Sequence, residues 1–329
     1  MHTLREWACS PHAAEPALPL ERPYLLVRLD PGPGGPTAGE QDAVARWLRR
    51  QPCPVIGIVG EAADGRLREA CDVVAGDPAA ASPLLERITH APLASMVLVQ
   101  VLRATHGLAI ADALVIESLA YATLQGGPEF RRWLKTYGPR APGRTRDEGP
   151  PVQMERDGEH LEIRLNRPAR RNVLSVEVRD ALVEALELVV ADPSVRTARL
   201  SGNGDCFSAG GDLDEFGTAP DPATAHGIRS VRLPAAVLAR CADRVEFHLH
   251  GACIGAGAEL PAFGRRVTAS RNTFFQLPEI GFGLIPGAGG CVSLPRRIGR
   301  QNTAYLTLSG RRLGAAEALE WGLVDAIVD

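Results

Sequence analysis

The sequence predicts an α/β fold whose sheets are covered by helices. Three observations predict it. Short apolar or alternating runs such as "HLEIRLNRP" and "RVEFHLHG" have the two-residue period of strands. Helical stretches such as "SVEVRDALVEALELVVAD" lie between them. Two turns built from small residues, "CFSAGGDL" and "GACIGAGAEL", each follow a strand. Strands that alternate with helices bury both faces of a sheet.

The elements follow in order. "YLLVRL" reads as a strand, "EQDAVARWLRR" as a helix and "PVIGIVG" as a strand. A long helical stretch runs from Pro83 to Tyr137, with Leu84, Leu85 and Ile88, then Ala113, Leu114, Leu119 and Leu124, near helical spacing. Gly138 to Pro151, "GPRAPGRTRDEGPP", is rich in Pro, Gly and charge and reads as a linker between residues 1–137 and 152–329. Beyond it come the strand "HLEIRLNRP", an amphipathic helix with Ser175 as N-cap, and the strand and turn "TARLSGNG". "RVEFHLHG" (strand), "AGAELPAFG" (helix), "VTAS" (strand) and "GAGGCVSLPRRIG" (helix) complete the series.

Composition excludes several classes. The chain has 329 residues, 45% apolar and 23% charged, with a formal net charge of −3, so it carries no basic signature for nucleic acid. The longest apolar run, near "APLASMVLVQVL", is too short to span a bilayer. "MHTLREWACSPH" places charge where a signal peptide needs an apolar stretch. The seven cysteines include no C-x-x-C pair, which argues against a metal site or a disulfide framework and for a reducing cytoplasm.

The glycine-rich turns raise the question of chemistry. His250, Gly251, then Gly255-Ala256-Gly257 and a helix bearing Glu259 make a strand–turn–helix. The first turn of a helix offers N–H groups with no internal partner, and small side chains let an oxygen approach them. Such donors can hold an oxygen that gains charge during reaction. A dinucleotide fingerprint fails, because Leu260 stands three past Gly257. The phosphate loop of nucleotide-binding proteins and the G-x-S-x-G elbow are both absent. "CFSAGGDL" offers a second N–H, so two turns can pinch one carbonyl oxygen.

Five segments in order, "LNRPARRNVLS", "FSAGGDLDEF", "HGACIGAGAEL", "FFQLPEIGFGLIPGAGG" and "LPRRIGRQNTAYLTLSGRRLGAAEALEWGLVDAIVD", resemble the crotonase family, whose type member is enoyl-CoA hydratase. The resemblance covers about residues 152–329 and implies a ClpP/crotonase-like spiral of ββα units with covered sheets. It implies a CoA thioester as substrate, coenzyme A entering as part of that substrate and no separate cofactor or metal. Its carbonyl oxygen would lie between the N–H groups of Gly211 and Ala256, where the family usually has glycine at the second position. Arg171, Val173, Ser208, Ala209, Asp212 and Gly255 fall at positions near substrate and CoA. Glu259 and Glu279 match the two acids that stand over the C2–C3 bond in hydratases, Glu259 activating the water and Glu279 delivering a proton to C2. Keeping both favours reversible hydration of a 2-enoyl-CoA. Other enolate chemistry on the same fold, such as isomerisation, and a non-enzymatic assembly role are the alternatives. The resemblance also implies a homo-oligomer, a trimer or hexamer.

Several residues carry plainer readings. Asp212 fits a cap that orders the turn after Gly211. Arg171 fits either the CoA phosphates or an ordinary solvated arginine. His248 and His250 share a strand face and read as satisfied histidines. Cys206, Cys253 and Cys291 read as small core residues. Crotonase domains continue past "GLVDAIV" into helices that cover the acyl pocket. Here Ser82 to Leu134 resembles those helices instead, while "CPVIGIVG" and "ACDVVAG" resemble eroded core strands that lack both acids. A degenerate first copy, with its helices (82–134) standing in for the tail of the second, is the resulting expectation.

Overall fold

The computed structural model describes residues 20–29, 37–59, 65–138 and 147–329. The N-terminal part holds β1 (Leu25–Arg28), α1 (Ala38–Arg49), β2 (Val55–Ile58), α2 (Gly65–Ala70) and β3 (Val73–Ala75). The three strands are parallel and lie side by side in chain order. Thr37 and Glu40 close a reciprocal capping box at the start of α1.

The stretch read as one helical run is four helices: α3 (Pro78–His90), α4 (Pro92–Ala104), α5 (Ile110–Gln125) and α6 (Pro128–Tyr137). Proline opens α3, α4 and α6, at the one helical position where its missing N–H costs nothing. No side chain of its own N-cap residue caps α4. Glu129 of α6 does so instead, accepting the N–H groups of Leu93 (2.8 Å) and Ala94 (2.9 Å).

The larger part begins with β4 (Val152–Asp157), β5 (His160–Leu165), α7 (Val176–Ala191), β6 (Thr197–Gly202), α8 (Pro222–Arg232), α9 (Pro234–Cys241) and β7 (Val245–Leu249). It continues with β8 (Ala252–Ile254), α10 (Ala256–Glu259), β9 (Arg266–Ser270), β10 (Phe274–Gln276) and α11 (Gly290–Ile298). It ends with α12 (Arg300–Ser309), β11 (Leu313–Gly314), α13 (Ala315–Glu320) and β12 (Ala326–Val328). A six-stranded sheet runs β12-β9-β7-β6-β5-β4, parallel except for the β4–β5 hairpin. A second sheet runs β11-β10-β8. Ser175 caps α7, accepting the Val178 N–H at 3.3 Å, and α7 buries Val178, Leu182, Leu186 and Val189 against the core of the larger sheet.

Two sequence expectations need correction here. "GACIGAGAEL" is not strand, turn and helix: β8 intervenes after Gly251, because residues 252–254 pair in register with β10. The expected helix "AGAELPAFG" is one turn, Ala256–Glu259, followed by a 3-10 turn at Pro261–Phe263, since Pro261 has no N–H to continue the helix. Of the expected linker, residues 139–146 lie outside the described residues. Its end is held rather than free: the Asn166 side chain donates to the carbonyls of Glu148 (3.2 Å) and Pro150 (3.0 Å), and Asp147 accepts the Ala169 N–H (2.9 Å).

The N-terminal helices share one apolar core with the larger part. Ile88, Leu98, Tyr121 and Phe130 pack with Ile280, Leu284, Cys291 and Leu308. The seam also carries charge. Asp72, fully buried, sits between Arg103 of α4 and Arg300 of α12, the latter at 2.8 Å. Removing both arginines leaves a buried carboxylate with no cation beside it, a change that costs about 3–5 kcal/mol in such pairs.

Candidate active site

The site is built where the ends of the two sheets meet. The turn at Cys206–Asp212 lies against β8 and the start of α10. Ser208 and Cys253 form a parallel bridge, with the Ile254 N–H donating to Ser208 O (3.0 Å) and the Ser208 N–H to Ala252 O (3.2 Å). The approach is close: a methyl on Gly210 would lie 2.7 Å from Ile254 O, and one on Gly257 2.5 Å from Ser208 O. Among the described residues, no acceptor takes the N–H of Gly211 or of Ala256. Ala256 opens α10, so its N–H is one of the donors that a helix start leaves open.

Glu259 closes α10 and is buried. Its Oε2 accepts the N–H groups of Ala288 (2.7 Å) and Gly290 (2.8 Å). Burial pushes its pKa up to about 7, and those two N–H donors pull against that rise. Glu279 begins the 3-10 turn Glu279–Phe282 and is also buried. Among the described residues, its Oε2 has no hydrogen-bond partner. Burial, then the charge of Glu259, holds its pKa well above the ordinary carboxylate range. The sequence-expected acids are therefore brought together, and burial makes both harder to ionise than an ordinary carboxyl.

The remaining expected residues fall around this centre. Asp212 is buried, accepts the Asp214 N–H (3.2 Å) and pairs with Arg170 (2.7 Å), which fixes the turn just after Gly211. Ser208 anchors the same turn by donating to Asn172 O (2.7 Å) and accepting the Gly210 N–H (3.2 Å). Ala209 donates its N–H to Arg171 O (2.9 Å), and Val173 lies half-buried two residues further on. Arg171 is exposed, with a left-handed backbone (φ 54°). His250 contacts Gly204 O (2.8 Å) and His248 contacts the Thr268 hydroxyl (3.1 Å), so both have partners. Cys206, Cys253 and Cys291 are buried thiols whose pKa values burial raises.

Sequence reasoning expected the N-terminal helices as a cover but missed the residues they bring to the site. Glu117 of α5, 1% exposed, accepts the N–H groups of Gly289 (2.7 Å) and Cys291 (2.8 Å) beside Glu259. Tyr121 lies so close to Gly287 that a methyl there would meet its ring at 2.2 Å. Arg87 of α3 faces Glu279 electrostatically, with its Nε buried and without a hydrogen-bond partner among the described residues. Trp133 of α6 stands 4.9 Å from Phe282 and 6.0 Å from Phe216 between ring centroids. A methyl on Gly211 would meet the Phe216 ring at 2.9 Å. One signal was present in the sequence: Glu117 is a lone charge inside the apolar run "ALVIESLAYATLQ".

Two backbone donors left open among the described residues, beside two buried carboxyls, make an arrangement able to polarise a carbonyl and move protons next to it. The chain belongs to the enoyl-CoA hydratase/isomerase family, whose model matches residues 156–329. It is similar to the 2,3-dehydroadipyl-CoA hydratase of Escherichia coli, 36% identical over 167 residues, covering 51% of this chain and 65% of that protein. It is similar to the 1,2-epoxyphenylacetyl-CoA isomerase of the same organism, 36% identical over 173 residues, covering 51% of this chain and 66% of that protein. Among solved structures it resembles the enoyl-CoA hydratase of Thermoplasma volcanium (33% identity, TM-score 0.50), covering 55% of this chain and 73% of that one. The chain thus spans just under two thirds of the length of the two E. coli relatives. The family and the structural likeness establish the crotonase fold for the larger part.

Proposed function

We propose that the protein is an enoyl-CoA hydratase, adding water reversibly across the C2=C3 bond of a 2-enoyl-CoA. One observation carries the reading: Glu259 and Glu279, both buried and both raised in pKa by that burial, converge on the same face of Gly255. The thioester oxygen would accept from the Gly211 and Ala256 N–H groups. Ionised Glu259 would take a proton from water as its oxygen bonds to C3. The electron pair of the double bond would move toward the thioester, giving an enolate that the two donors stabilise. Protonated Glu279 would then give its proton to C2. Water adds as H and OH, and one proton must pass from Glu259 back to Glu279 before the next turnover. Phe216, Phe282 and Trp133 offer an apolar wall beside the donors, in keeping with an apolar acyl group.

We further propose that residues 1–137 are a degenerate copy of the same core. Parallel strands β1-β2-β3 advance in chain order as β5-β6-β7 do. Helices α3–α6 would take the place of the family's tail, and assembly as a trimer or hexamer in the cytoplasm belongs to the same reading. The test is a panel of acyl-CoA esters with mass readout of water gained or lost. Crotonyl-CoA should gain the mass of one water. Isomerisation of a 3-enoyl-CoA with no hydration of any 2-enoyl-CoA would replace hydratase by isomerase.

A further inference from the structure

The N-terminus of α11 is shared between two buried carboxyls in strict alternation. The successive N–H groups of Ala288, Gly289, Gly290 and Cys291 go to Glu259, Glu117, Glu259 and Glu117, at 2.7 to 2.8 Å. Glu259 uses one oxygen, Oε2, for both of its bonds, whereas Glu117 spends both of its oxygens. A helix start with open N–H groups attracts carboxylate oxygens. With Gly289 and Cys291 taken, the start of α11 has no donor left here for the second oxygen of Glu259. That oxygen, Oε1, is on the Gly255 side, 3.9 Å from where a methyl on that glycine would sit.

We infer that Glu117 is a positioning residue for Glu259: by holding the Gly289 and Cys291 N–H groups it keeps Glu259 bound through Oε2 alone and leaves Oε1 facing the reacting water. This rests on the proposed role of Glu259. Glu117 reaches the site from α5, so the N-terminal part completes the constellation rather than merely covering it. The groups facing this pair are Tyr121 on the same helix, Arg229 of α8, whose guanidinium lies 4.4 Å over the Tyr121 ring, Glu279 from its 3-10 turn, and the Cys291 thiol of α11. Arg229 is held there by Ser118 (3.2 Å) and Gln125 (3.0 Å).

The experiment compares the full chain with Glu117→Gln and Glu117→Asp. Gln removes the ionisable group and sets an NH2 group against a backbone N–H. Asp keeps the carboxyl but falls one methylene short. Both should lower kcat by about 10- to 100-fold with KM changed less than about threefold. In Glu117→Gln the acid limb of kcat/KM should also move, because the neighbour that Glu259 titrates against is gone. Carbon-13 NMR of carboxyl-labelled glutamate should show the Glu259 signal titrating at a different pH in Glu117→Gln from wild type. A variant that loses only thermal stability, with kcat, the pH profile and the Glu259 titration unchanged, would overturn the proposal and leave Glu117 as a docking contact. A wild-type chain inert to every CoA ester would instead overturn the hydratase reading, while the NMR titration would still decide whether Glu117 governs Glu259.

Discussion

Glu259 and Glu279 approach each other across a missing side chain. A methyl on Gly255 would lie 2.6 Å from Glu279 Oε1 and 3.9 Å from Glu259 Oε1, so the glycine leaves the space into which both carboxyls point. Gly255 also has φ +50°, a conformation that side-chain-bearing residues rarely adopt. The two acids therefore sit in one compartment of low polarity, where each resists ionisation while the other is charged.

Replacing Glu279 by Gln keeps the shape and removes the transferable proton. Turnover should fall by about 10²–10⁴-fold, the range typical of a lost general acid, with affinity for an unreactive CoA ester nearly intact. Steady-state kinetics and calorimetric titration of the same preparation check both halves. An unchanged kcat would remove Glu279 from the mechanism.

The residues of this site were legible in the sequence, through two glycine-rich turns and the family resemblance that their motifs carry. The turn Ser208–Asp212, Gly211, Ala256, Glu259 and Glu279 could be named, but it is the Ser208–Cys253 bridge and the space at Gly255 that bring them together. What could not be read depends on contacts across the chain. Strands β8 and β10 are three residues each, too short for a period to show, and they exist because they pair with one another. Glu117 is 172 residues from Gly289 along the chain. Nothing in its local sequence says which helix start it will meet. The N-terminal helices looked like a cover in the sequence, but the chain alone could not say that their carboxylates would enter the site.

The pH dependence follows from Glu259, whose pKa burial lifts to about 7. As the base it works ionised, so kcat/KM should rise with pH about tenfold per unit below that value and level off above it. Stability runs the other way. The folded state holds this proton more tightly than the unfolded chain, so the contribution is complete below the ordinary carboxylate value and fades as pH rises toward 7. Glu259→Gln keeps an oxygen for the Ala288 and Gly290 N–H groups and removes the titration. Its Tm relative to wild type should therefore increase between pH 5 and pH 8 while its activity is lost. A wild-type acid limb below pH 5 would detach Glu259 from the base role.

Ala256 tests the second donor without disturbing the fold. It is the first residue of α10, where proline is well tolerated. Gly255 before it has φ 50° and ψ −120°, the mirror image of an extended backbone, which glycine can hold ahead of a proline. Ala256→Pro should therefore fold, lose one N–H and lose about 3–4 kcal/mol of transition-state stabilisation, or 10²–10³-fold in kcat. Ala256→Gly keeps the N–H and should stay within about threefold of wild type. Equal behaviour of the two variants would mean that Ala256 N–H does not hold the developing charge.

A chain beginning at Pro151 asks what the N-terminal helices supply. Without them Ile280, Leu284, Cys291 and Leu308 lose the apolar partners that bury them, and a patch of this kind drives association. Arg300 loses Asp72, and the Gly289 and Cys291 N–H groups lose Glu117. The truncated chain should aggregate or change its assembly state on size exclusion, and its turnover should fall at least as far as that of Glu117→Gln. Residues 80–140 added as a separate chain should restore solubility at least in part, because α3–α6 carry most of the apolar contacts on the seam, though not the Asp72 bridge. Glu117→Gln in that added chain should restore solubility without restoring activity. If the chain from Pro151 is soluble, assembled and fully active alone, the helices are neither a substitute tail nor part of the site.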